Sequence, residues 1–117
     1  MTKEEFNEKM RQRTKKLAVD VIIFLSGLAP HKAMRVLDYQ LTKAVTSVAA
    51  NYRAACRARS QAEFHAKMSI VVEEADESLF WLEMIEDLNI DKSPQLKYLQ
   101  NEGLEVLKIC SKARSNS

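Results

Sequence analysis

The sequence predicts an all-α protein, an antiparallel up-down four-helix bundle in a single domain over residues 1–117. Three observations predict it. Only 2 Gly and 2 Pro occur in 117 residues, so turns are few and the elements between them are long, as helices are and the strands of a many-stranded sheet are not. Apolar residues recur at steps of three and four through long segments, the spacing of one helix face. The breaks between these segments are short, which favours antiparallel neighbours, and a chain of this length supplies one core rather than two.

The first helix is expected over residues 3–26, with Phe6, Met10, Leu17, Val21, Phe24 and Leu28 on its apolar face and Gly27 and Pro30 as stop signals. Arg13 or Thr14 falls where the next apolar residue should be, so its first half is the weaker half. The second helix spans 32–58, and Met34, Leu37, Leu41, Ala44 or Val45, Val48, Tyr52 and Ala55 form its stripe. Ser60 and Glu63 have the Ser-x-x-Glu spacing of a capping box and start the third helix, 61–88, with Phe64, Met68, Val71, Ala75, Ser78, Leu82 and Ile85 inward. Ser93 and Pro94 cap and open the fourth, 94–113. It turns Leu96, Leu99, Gly103, Leu107 and Cys110 inward and frays from Ser115.

A formal charge of +2 hides segregation. Residues 1–32 carry a net +3, residues 33–59 a net +4, residues 60–91 a net −8 and residues 92–117 a net +3. Basic and acidic faces so divided steer assembly, or offer the basic ones to an anionic partner. No membrane partner is expected. The longest apolar run, Leu17 to Leu28, contains Asp20, Ser26 and Gly27 and falls short of the roughly 20 residues that cross a bilayer. Glu4, Glu5 and Glu8 before that run, and Pro30 after it, argue against a secretion signal. The chain reads as cytoplasmic, with Cys56 and Cys110 as small buried residues of a reducing compartment.

A lone bundle needs a charged face on each helix, yet Ala44 to Tyr52 holds no charge at all. Thr42, Thr46, Ala49 and Ala50 lie opposite the core stripe of the second helix. A helix small or apolar all round is normally buried all round, and a bundle of this size has no second layer to bury it. On the third helix a second line, Ile70, Glu74, Glu77, Trp81 and Met84, runs beside the core stripe, and adjacent Phe80 and Trp81 point about 100° apart. Self-association is therefore expected, through Thr46, Ala49, Ala50, Ile70 and Trp81.

Catalysis is not expected. There is no Glu-x-x-His pair of the kind that holds metal in bundles, neither cysteine has a nearby histidine, and no Gly-rich phosphate loop or serine elbow occurs. No cofactor, metal or small-molecule substrate is implied. Glu74 and Glu77 read as structural acceptors for Arg53 and Arg57. RNA or DNA is the open partner, through Arg11, Arg13, Lys15 and Lys16 on the first helix and Arg53, Arg57 and Arg59 after it. No stacking aromatics are interleaved, so any such binding would ignore base sequence.

The stretch from Gln40 to Tyr52 (Gln-Leu-Thr-Lys-Ala-Val-Thr-Ser-Val-Ala-Ala-Asn-Tyr), followed by Arg57-Ala58-Arg59-Ser60, Glu63-Phe64, Lys67 and the run from Glu74 to Leu82, resembles the bacterial four-helix bundle proteins encoded in intervening sequences of 23S ribosomal RNA genes, the S23 family. The likeness is dense from about residue 30 to 88. It implies an antiparallel four-helix bundle assembled as a ring-like homopentamer without catalytic activity. Relatives include the accessory subunit of diversity-generating retroelements, which binds a reverse transcriptase and nucleic acid. The resemblance thus leaves a second role open, that of an adaptor whose chief partner is another protein such as a polymerase.

Overall fold

A hydroxyl starts three of the four helices in the computed structural model, which describes all 117 residues, Met1–Ser117. Thr2 caps α1 (Lys3–Ser26), Ser60 caps α3 (Gln61–Asp87) and Ser93 caps α4 (Pro94–Ser115). Each accepts from the backbone N–H three residues on, satisfying one of the donors that a helix start leaves orphaned. The reciprocal arm of a capping box forms at Thr2 and Glu5, where the Thr2 N–H donates back to the Glu5 carboxylate. At Ser60 it does not. Glu63 turns instead toward Arg59, 3.7 Å away.

The second helix, α2 (Met34–Cys56), starts and stops two residues inside the expected 32–58. No side chain caps Ala33; the His31 ring Nδ1 accepts from the Ala33 N–H at 3.0 Å and holds the turn before it. At the other end Arg57 and Ala58 donate to carbonyls three residues back, the tightened last turn that releases the chain toward Ser60. Beyond α3, Asn89 takes φ 57°, a left-handed conformation that Asn tolerates better than most residues. The Ile90 N–H then reaches back to the Ile85 carbonyl at 3.1 Å, which closes the helix end in a Schellman turn. The C-terminus does not fray at Ser115: α4 includes it, the Ser117 hydroxyl lies 2.6 Å from His65 Nδ1, and Arg114 donates to the Ser69 hydroxyl at 2.7 Å.

Successive helices run antiparallel. α1 packs on α2 and α4, and α3 packs on the same two, so α1–α3 and α2–α4 face each other as diagonals across the core. The bundle measures 45 × 25 × 19 Å. The inward stripes of α2 and α3 are those the periodicity gives, with Met34 and Phe64 only half-buried at their ends. On α1, Phe6 is exposed, and Thr14, Ala18 and Leu25 complete the stripe. On α4, Val106 takes the place expected of Leu107. Gly103 lets α4 approach α3: a Cβ there would stand 3.1 Å from Leu79 Cδ2.

Candidate functional site

Small residues on α2 leave the gap between α1 and α2 unfilled from outside. Thr46 and Ala50 are exposed and Ala49 is half-buried. With Ala18, Val19 and Ile22 of α1 they line the apolar part of an open groove of about 930 Å³. Val19, Ile22 and Ile23 are 47%, 38% and 65% exposed, a second apolar row on α1 at steps of three and one. Basic side chains rim the same groove: Arg11, Lys15 and Lys16 from α1, Arg53 and Arg57 from α2, against a single acid, Glu8.

Part of the set expected at an oligomer interface and part of the set expected to meet nucleic acid thus fall on one surface, while Ile70 and Trp81 lie apart from it on α3. Thr46, Ala49 and Ala50 share the groove with Arg11, Lys15 and Lys16. Arg13 does not belong to it: its Nε and Nη2 donate to the two carboxylate oxygens of Glu102 on α4 at 2.7 and 2.9 Å. That pair holds the Arg13 guanidinium above its ordinary range. Arg59 lies past the end of α2, exposed and outside the groove.

Ion pairs sort the remaining cations. Arg11 holds Glu8 and Glu4; hydrogen bonds to Glu8 first, then Glu4, push its guanidinium up, and Arg11 in turn lowers the Glu8 carboxyl. Lys16 donates to Asp20 at 2.7 Å, which raises its ammonium. Lys15, Arg53 and Arg57 have no acidic partner in the chain. The expected pairing of Arg53 and Arg57 with Glu74 and Glu77 is absent within the chain, because the α2 edge carrying both arginines borders the α1 groove. Glu74 and Glu77 stay half-buried on α3.

The aromatic pair on α3 also sorts differently from the expectation. Trp81 is half-buried against the core and its indole N–H is buried without a partner. Phe80 is the exposed member, at 51%, with its ring edge-on to Trp81 at a centroid distance of 4.9 Å. Ile70 is exposed at 38%. The sequence did carry a signal for Phe80: it sits in the series Glu73, Asp76, Phe80, Glu83 and Asp87, whose steps of three and four mark one helix edge.

Nothing in the interior adds a reactive centre to this surface. Cys56 and Cys110 are both free, and they lie on diagonal helices that nowhere bring Cα atoms within 8 Å, too far for a disulfide. Burial pushes the Tyr52 phenol above its ordinary range. No three His, Cys, Asp or Glu side chains converge to hold a metal ion. No helix is long and apolar enough to cross a membrane.

The family model for the 23S rRNA-intervening sequence protein matches residues 7–112. The chain belongs to that family. The match takes in every residue lining the groove, from Glu8 to Arg57. A solved structure of a protein of unknown function from the S23 ribosomal protein family of Bacteroides thetaiotaomicron is similar, with a TM-score of 0.84 and 25% identity over 93% of this chain and 97% of that one. No curated protein matches the chain. The family and the four-helix fold expected from the residues are both borne out.

Proposed function

We propose that this member of the 23S rRNA-intervening sequence family is a non-catalytic, homo-oligomeric scaffold of the cytoplasm, a pentamer by the family resemblance, assembled through the α1–α2 groove. The observation that carries the reading is the groove itself, an open apolar surface of small residues bordered by half-exposed Val19 and Ile22. Fully burying a side chain of that size contributes about 1.5–3 kcal/mol, and soluble monomers rarely leave such surface contiguous and uncovered. The groove offers charge and apolar area but no nucleophile beside a base, which supports a binding rather than a catalytic role.

A second reading, sequence-independent attraction to RNA or DNA, is favoured by Lys15, Arg53 and Arg57, three cations without acidic partners around one depression. An adaptor role toward another protein, such as a reverse transcriptase, would draw on the same apolar surface.

The test is mass in solution. Light scattering of the purified protein at micromolar concentration is expected to give a multiple of 13.4 kDa larger than a dimer. Ala50→Glu is expected to shift it toward the monomer without loss of helicity, because Ala50 is exposed in the isolated chain and an unpaired charge is costly only once covered. A wild-type mass near 13.4 kDa refutes the proposal.

A further inference from the structure

We propose that the occupant of the groove is the outer edge of α3 from a second copy of the chain, so that copies join head to tail; this rests on the self-assembly reading above. The edge is the row Glu73, Asp76, Phe80, Glu83 and Asp87, all exposed. None of its four carboxylates is in an ion pair within the chain. The groove holds the complement: Lys15, Arg53 and Arg57, equally without acidic partners. Opposite charges left uncommitted on two surfaces of one molecule steer those surfaces together and fix their register.

Shape agrees with charge. Glu73 to Asp87 and Glu8 to Ile22 each span fourteen helical steps, about 21 Å at 1.5 Å per residue. Phe80 is the one large apolar side chain of the edge, half-exposed and held by Trp81. The groove floor, where α2 carries Ala49 and Ala50, has room for such a knob.

The two surfaces cannot meet in one copy, because α3 lies diagonally across the core from α1. Pairing them between two copies leaves a free edge on one copy and a free groove on the other, a heterologous contact that closes as a ring or runs on as a filament. Two grooves facing each other would instead set Lys15, Arg53 and Arg57 against their own kind.

Charge reversal tests this on the full chain, with light scattering for assembly and circular dichroism for folding. All four chosen positions are exposed. Arg53→Glu with Arg57→Glu, and separately Asp76→Lys with Glu83→Lys, are each expected to raise the concentration for half-assembly at least tenfold. Combining all four is expected to restore much of the assembly, because the reversed positions of edge and groove are again opposite in sign to each other. Should the combined variant not fold, mixing the two double variants is the equivalent measurement, with co-assembly as the supporting result. A monomeric wild type sinks the self-assembly reading itself. A wild type that assembles, and still does so with Asp76→Lys and Glu83→Lys, overturns the α3 edge alone, as does a folded four-site variant that stays monomeric. Groove reversal that abolishes binding of a labelled RNA hairpin while assembly is untouched assigns the groove to nucleic acid and also overturns it.

Discussion

Thr14 sits where the apolar rhythm of α1 falters, and it is fully buried all the same. Its hydroxyl donates to the Met10 carbonyl at 2.9 Å, so the polar atom is satisfied inside its own helix and the rest of the side chain packs as an apolar residue would. Ser78 does the same against the Glu74 carbonyl. Hydropathy alone does not read such residues as core, since it charges the hydroxyl its full desolvation cost. Ser78 was legible only from its place in the α3 stripe, whereas Thr14 stood as one of two poor fits. Cys110 was readable, because its place in the α4 stripe fixed its burial. Burial, and secondarily the nearby Cys56, pushes its thiol up to about 12 from an ordinary 9.0. The folded chain therefore keeps a proton that the unfolded chain releases above pH 9. That contribution to stability is whole below the ordinary value and is lost as pH climbs from about 9 toward 12. Thermal melts of the wild type from pH 8 to 11 are expected to fall more steeply than those of Cys110→Ala. Parallel slopes would remove the thiol from the account.

At the scale of the helix, periodicity placed the stripes of α2, α3 and α4 to within a residue or so, and failed mainly at ends. The reason is local: α2 begins on a ring nitrogen and ends on a tightened turn, and neither has a residue signature as plain as Ser-Pro. α1 is the element held least by the rest, since it packs chiefly on α2 and little on α4. The forked pair from Arg13 to Glu102 ties it to α4 across a partly buried boundary. Arg13 read as a contact for RNA or DNA because nothing in a single sequence announces a partner 89 positions away. Two charge-assisted bonds at this site stabilise by more than a surface pair does. Glu102→Gln is expected to cost about 1–2 kcal/mol. Amide exchange should quicken first in the N-terminal half of α1, with α2 and α3 protected as before. Uniform acceleration over all four helices would show that α1 does not open on its own.

For the whole molecule, the segregation of charge along the chain was visible before folding, whereas the merging of two expected surfaces was not. It depends on the register with which α1 lies against α2, which brings Lys15 beside Arg53 and Arg57 around the small residues of α2. One consequence is competition. A polyanion drawn to those three cations occupies the groove that a second copy would fill, so RNA or DNA and assembly should oppose each other. Phosphate contacts of this kind release counterions, and affinity should fall with log salt at a slope of about −0.9 per duplex phosphate neutralised. Replacing Lys15, Arg53 and Arg57 with Gln is expected to flatten that slope. Arg13→Gln should leave it alone, because Glu102 already holds that guanidinium. Fluorescence anisotropy with a labelled RNA hairpin and a labelled DNA duplex across a salt series reads the slopes. Light scattering of the same samples reads the assembly, which is expected to shift toward smaller species as nucleic acid is added. Binding that flattens with Arg13→Gln, or assembly that survives saturating nucleic acid unchanged, would place the anion site elsewhere than the groove.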